Sequence, residues 1–209
     1  MLKESFRERY RRNERLNGLS DGVFAIVLTL LVLELRVPAL PHKAGSADLW
    51  QALIDMRPKI ISFLLSFIFI ASLWFTHNQL FKLFVEVDET MLWYNNFLLL
   101  AICFIPFPTA LIGEFPRNPV GISLFGIIWI IVPLLIYAIG SRAYHKKYIH
   151  SSVDMERYLL LRKVTLWYIP VSAIPIVLAW MAPQLAFGFY LLLMLGGVAA
   201  GFAVKLIRE

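Results

Sequence analysis

Apolar residues in this chain gather into six long runs instead of alternating with polar ones. The runs cover roughly residues 19–37, 59–81, 90–113, 119–140, 162–181 and 184–206. Each is about 20 residues long, the length an α-helix needs to cross roughly 30 Å of hydrocarbon. Half-buried strands and amphipathic surface helices show polar positions at period 2 or 3.6, and these runs do not. The pattern predicts an all-α membrane protein with six transmembrane helices per chain, folded as one domain over residues 1–209.

Prolines refine the runs. Pro58 suits the first turn of the second helix. Pro106-Phe107-Pro108 is expected to bend or break the third before Gly113, and Pro133, Pro170 and Pro175 predict further kinks. Gly197-x-x-x-Gly201 in the last run allows close helix packing. The longest outer loop is 38–57, and its 47–56 part reads as a short interfacial helix. The segment 141–162 reads as the longest polar connection on the other side.

Composition agrees with the runs. The chain is 59% hydrophobic and only 16% charged, with a single cysteine, Cys103, inside an apolar run. A paired-cysteine metal site or disulfide framework is thereby excluded, and the lone thiol reads as a small core hydrophobe. The net charge of +6 would suit nucleic acid, but the basic residues flank apolar runs, so no nucleic-acid partner is expected. Their distribution sets orientation. Lys3, Arg7, Arg9, Arg11, Arg12 and Arg15 precede the first run. Arg142, Lys146, Lys147, Arg157, Arg162 and Lys163 lie between the fourth and fifth, with Lys82, Lys205 and Arg208 on the same side. Only Arg36, Lys43, Arg57, Lys59 and Arg117 lie opposite. Both termini are therefore expected in the cytoplasm. The first run is too long for a cleaved signal peptide, and five more follow, so it reads as a retained span.

Two groups of residues ask for a function. Ile26, Leu30 and Leu33 sit at i, i+4 and i+7 of the first run and share one helix face. Four copies around an axis would stack three apolar rings, able to gate by excluding water and to favour an easily dehydrated cation. The same periodicity equally suits residues that face lipid or a neighbouring helix. Thr29 beside them suits either a pore hydroxyl or a back-bond to its own preceding turn.

The second group is polar: Arg15, Ser20 and Asp21 open the first run and His77 closes the second. Such groups are costly in a bilayer unless paired. His77 lies at the depth of Ser20 and Asp21 and is expected to bond to one of them, with indole donors from Trp74 and Trp93. The group reads as a structural latch between helices, although capping by Ser20 and Asp21, headgroup contact by Arg15 and an aromatic belt at the tryptophans account for the same residues. Glu34, near the outer end of the first run, suits a cation-attracting mouth or a partner for Arg36. Asp88 and Glu89 read as solvated loop residues.

Arg15-x-x-x-Leu19-Ser20-Asp21-Gly22 resembles the R-x-x-x-F-S-D-G signature of the transmembrane-protein-175 family of potassium channels. The likeness continues through Val23-Phe24-Ala25-Ile26, Thr29, Leu33-Glu34-Leu35, Trp74-Phe75-Thr76-His77, Trp93 to Asn96 and Pro106-Phe107-Pro108-Thr109. It covers the first half of the chain, and Leu19 departs from the signature's Phe. The resemblance implies a homotetramer in a prokaryotic plasma membrane with the first helix lining the pore. Ile26 would match the narrowest ring, Leu30 and Leu33 the next layers, and Thr29 a hydroxyl layer. It also implies that the signature residues bond to His and Trp on neighbouring spans. The permeant partner would be potassium, with no cofactor and no bound metal beyond it. The alternative is a secondary transporter of a small cation or solute, for which Asn95, Asn96 and the Pro106–Pro108 break are the only hints. No enzyme is expected, because neighbouring Ser20 and Asp21 point about 100° apart and cannot complete a triad with His77.

Overall fold

The computed structural model describes residues 2–206, with side chains from residue 13 onward apart from 200, 201 and 204–206. The surroundings of the orienting residues Lys3, Arg7, Arg9, Arg11, Arg12, Lys205 and Arg208, and of Gly201, lie outside this description.

Helix α1 runs without a break from Leu2 to Leu30. The segment Arg15–Gly22 thus lies within a helix instead of opening one. Arg, Glu and Leu before it are good helix formers with no proline among them, so nothing stops the helix at the membrane boundary. Its 29 residues make a rod of about 44 Å, longer than the hydrocarbon core. After Leu30 the chain tightens into a 3-10 turn, Leu31–Glu34, and leaves the helix ahead of Pro38. The outer loop carries α2, Ser46–Asp55, whose first turn is closed by Gly45 N–H donating to Asp48.

Helix α3 spans Arg57–Phe81 and starts with proline in its first turn. The third run is two helices, α4 (Glu89–Phe104) and α5 (Pro106–Glu114), broken at Ile105 as the two prolines require. Helix α6 covers Pro119–Lys146 and continues through Pro133. It ends on Lys147 in the left-handed conformation, φ 59°. Helix α7, Met155–Val171, is followed after a short turn by α8, Ile174–Met181, and then α9, Pro183–Leu206. Most of the expected polar connection 141–162 is therefore helix, because α6 and α7 extend beyond their apolar stretches. The remaining loop is tied to the α3–α4 turn: Val85 N–H donates to Tyr148 C=O (2.7 Å) and His150 N–H to Leu83 C=O (3.0 Å).

Among the described residues, five helical stretches are long and apolar enough to cross a membrane: Asn13–Glu34, Arg57–Phe81, Glu89–Glu114, Pro119–Lys146 and Met155–Met181. Within α9 the apolar stretch Pro183–Ala199 falls among the described residues. The sixth run corresponds to α9, whose helix is described over Pro183–Leu206.

The core is aromatic and lies among α3, α6 and α9. Phe69 stacks on Trp129 at 4.0 Å between ring centres, and Phe125 meets Tyr190 edge-on at 5.4 Å. Gly126 makes this possible, since a Cβ there would fall 2.5 Å from Ile176 and 2.6 Å from the Tyr190 hydroxyl. Three tyrosine hydroxyls donate to backbone carbonyls of other helices: Tyr158 to Gly140, Tyr168 to Leu193 and Tyr190 to Ile122. Cys103 is exposed on the surface of the chain and does not belong to the core.

Candidate functional site

Helix α1 packs on α3 and α4 along one face only. Leu16, Ser20, Phe24, Val27 and Leu31 are buried, at the four- and three-residue spacing of one helical stripe. The opposite face is open. Ile26, Leu30 and Leu33 are 58%, 44% and 64% exposed. Because Leu33 lies in the 3-10 turn, its angle departs from the continuous α-helical face that the i, i+4, i+7 spacing assumes. Thr29 is also exposed, and its hydroxyl donates to Ile26 C=O at 2.8 Å. Gly18 and Gly22 continue the stripe at four-residue steps, and a Cβ on either would meet nothing within 4 Å.

The buried face carries a directional chain of hydrogen bonds through three helices. His77 Nε2 on α3 lies 2.7 Å from Asn95 Oδ1 on α4. Asn95 Nδ2 donates to Ser20 Oγ on α1 (3.1 Å), and Ser20 Oγ donates to Leu16 C=O (3.0 Å). With the amide oriented this way, Nε2 of His77 must carry the proton. All three side chains are buried, so each satisfies groups that water cannot reach. His77 is further held between rings, stacked on Phe81 at 4.3 Å and tilted against Phe24 at 5.7 Å.

This arrangement corrects the expected bond from His77 to Asp21 or Ser20. Asn95 stands between His77 and Ser20, and Asp21 instead accepts from Trp74 Nε1 at 2.8 Å. Asn95 is the residue that sequence reasoning left outside the latch. Its signal was an amide inside an apolar run, which has to find partners wherever it is buried. Trp93 is exposed, meets Phe97 ring to ring, and makes no hydrogen bond among the described residues. Arg15 is exposed too and has no ion pair among them. Ser20 and Asp21 do not cap, since they lie in mid-helix.

Two further polar contacts brace the ends of the bundle. Asp88 is not a solvated loop residue: its Oδ1 caps α4 by accepting from Met91 N–H, and its Oδ2 accepts from Arg142 Nε at 2.8 Å. At the other end Lys59 pairs with Glu114, and both border a pocket together with Glu34 and Arg36. Glu34 and Arg36 thus line the same pocket as the Lys59–Glu114 pair. Midway, Ser66 and Thr109 share a buried hydrogen bond of 2.7 Å between α3 and α5. No group of three His, Cys, Asp or Glu side chains suited to a metal occurs among the described residues.

The family model described as "Endosomal/lysosomal potassium channel TMEM175" matches residues 15–106, the stretch that contains the second half of α1, His77 and Asn95. A potassium channel from Chryseobacterium sp. is 32% identical over 189 residues, covering 87% of this chain and 90% of the relative. The chain belongs to the TMEM175 family. A second TMEM175 relative, a potassium channel of Chamaesiphon minutus, is 37% identical over 125 residues, which is 58% of this chain and 61% of that one. Among solved structures, a lysosomal potassium-selective channel TMEM175 homolog from the same organism superposes with a TM-score of 0.79. It has 27% identity and covers 91% of this chain and 98% of that chain. The apolar helices and the family together make this an integral membrane protein of a channel family.

Proposed function

We propose that the chain is a potassium-selective cation channel in which four copies surround a central pore lined by α1. Each copy crosses the bilayer six times, α9 supplying the last span, with both termini in the cytoplasm of a prokaryotic cell. The observation that carries this reading is the open stripe of α1. Its opposite face is satisfied by α3 and α4, yet Gly18, Gly22, Ile26 and Leu30 project outward at four-residue steps of about 6 Å. The stripe is graded, with two glycines at one end and large aliphatic side chains at the other. Copies arranged around an axis would leave a wide inner mouth that narrows at Ile26, with Leu30 and Leu33 above it. Glycines four residues apart also let neighbouring helices approach closely.

Apolar rings pass ions by an energetic barrier instead of coordination. A narrow apolar constriction tends to dry, and an ion crosses it by shedding part of its hydration shell. Potassium sheds water more readily than sodium, so the rings favour it without coordinating carbonyls. Thr29, whose hydroxyl is already bound to Ile26 C=O, keeps lone pairs free to face the lumen. The names of the relatives support the choice of ion.

Flux through liposomes containing the purified chain tests the reading. Rapid, electrogenic, non-saturating potassium flux that exceeds sodium flux is expected. Ile26→Asn should hydrate the constriction and move the biionic reversal potential toward zero. A reversal potential unchanged in Ile26→Asn would remove Ile26 from the filter. Slow, saturating flux coupled to a second solute would overturn the channel itself.

A further inference from the structure

Helices α3, α6, α7 and α9 do not close fully on one another. Two apolar clefts of about 650 and 560 Å³, open mouths included, lie between them. Both are bordered by Thr76, Ile136, Val164 and Thr165, so they form one continuous groove. Along α3 it extends from Phe69 to Leu80, about 16 Å at 1.5 Å per residue. That is close to the depth of one leaflet, roughly half of a 30 Å hydrocarbon core. None of the lining residues belongs to α1, so on the reading above this groove lies away from the pore-lining helix.

The groove has one charged end. Arg162 lines it there, with Nη2 donating to Ser141 Oγ at 3.0 Å and the guanidinium lying 4.8 Å from the centre of the Tyr144 ring. Its Nε is buried and has no hydrogen-bond partner, and no carboxylate pairs with Arg162 among the described residues. This half-buried guanidinium, held by Ser141 and the Tyr137 and Tyr144 rings, has no carboxylate counter-charge and keeps an Nη nitrogen to spare, which suits an anion. It sits toward the end of the bundle that carries Lys82, Lys146 and Lys147, where the charge distribution places the cytoplasmic leaflet and its anionic lipids.

We propose that the groove holds one acyl chain of an anionic membrane phospholipid, with the phosphate against the Arg162 guanidinium. The apolar walls exclude water along the chain, and the remaining Nη donors of Arg162 suit a phosphate oxygen.

Native mass spectrometry of the full-length, delipidated protein tests this, using phosphatidylglycerol and phosphatidylcholine with identical acyl chains. Phosphatidylglycerol should bind at a concentration roughly five- to tenfold lower, as expected for one well-placed cation. Arg162→Gln should abolish that preference, whereas Lys163→Gln, an exposed neighbour, should leave it intact. Thr165→Trp, which fills the shared middle of the groove, should lower occupancy by both lipids. An unchanged preference in Arg162→Gln, or an equal loss in Lys163→Gln, would mean diffuse surface charge and overturn the proposal. If Arg162→Gln does not fold, unchanged occupancy in Thr165→Trp overturns it instead. Oleate binding more tightly than phosphatidylglycerol would overturn the assignment to a phospholipid. Ion flux plays no part in this readout, so the groove and the pore stand or fall separately.

Discussion

The two halves of the bundle are held together by different chemistry. Around α1 the joints are side chain to side chain: His77 to Asn95, Asn95 to Ser20, Trp74 to Asp21. Around α6 to α9 they are mainly ring packing, a close approach at Gly126, and tyrosine hydroxyls bound to carbonyls, with side-chain pairs only toward the ends of α6, Trp180 to Ser123 and Arg162 to Ser141. A tyrosine can find a carbonyl at several helical registers. An amide bridging a histidine and a serine is satisfied only when three helices hold one register. The first half is therefore the part whose geometry is specified atom by atom. It is also the part that the family model matches, residues 15–106. On the proposed pore reading that precision matters, because a shift of one residue would turn Ile26 away from its face.

The largest expected effect comes from removing the amide that joins the three helices. Asn95→Leu is similar in size, but it strips His77 Nε2–H of its acceptor and Ser20 Oγ of its donor in a fully buried site. Each orphaned group costs about 1–3 kcal/mol, so a loss of roughly 2–6 kcal/mol is expected. Thermal unfolding in detergent measures it. A double-mutant cycle between Asn95→Ala and His77→Ala should give a coupling near 1 kcal/mol. Were the loss no larger than that of Tyr190→Phe, the two halves would be held equally loosely and the contrast would collapse.

The second half should break by crowding and not by unpaired polarity. Gly126→Ala puts a methyl 2.5 Å from Ile176 Cγ1 and 2.6 Å from Tyr190 Oη, so these side chains, or the helices α8 and α9 that carry them, must shift away from α6. Overpacking of this kind costs about 1–3 kcal/mol. Melting should fall, while potassium over sodium preference in liposomes should stay at the wild-type value. A change in selectivity would show that the α6–α9 scaffold reaches the pore and does not merely support it.

How much of this was legible depended on whether one residue or a pair carried the signal. Run length alone gave the helices, and Pro106 and Pro108 gave the break at Ile105. Asp88 was not legible, because its role needs Arg142, 54 residues away in the chain. Asn95 was visible as a misplaced amide, but its partners follow from the registers of α1, α3 and α4, which periodicity cannot supply. The glycines of Arg15–Gly22 suggested a helix start, although on an open face without neighbours they cost the helix little more than propensity. The 3-10 turn at Leu31 left no mark, since Leu and Val suit either winding. Whether Ile26 faces lumen or lipid was also beyond reach, because both surroundings select the same aliphatic side chains.

The smallest expected effect sharpens the contrast within the first half itself. Trp74→Phe removes the indole donor to Asp21 and keeps an aromatic ring in place. Unlike the His77–Asn95–Ser20 chain, this pair lies at the surface of the single chain, where water or headgroups can replace the lost bond. Unfolding of the isolated chain in detergent should change by no more than about 0.5–1 kcal/mol. Asp21, however, is on the open side of α1, next to Gly22, where the proposed neighbouring copy would approach. Enclosed there, an unpaired carboxylate would cost more than it does at a wet surface. The tetramer-to-monomer ratio, read by size-exclusion chromatography with light scattering, should therefore fall more than melting does. Equal, small effects on both would mean that Asp21 stays solvated in the assembly. The specified part of the first half would then end at Ser20, and the open stripe would meet its neighbours through glycine and aliphatic contacts alone.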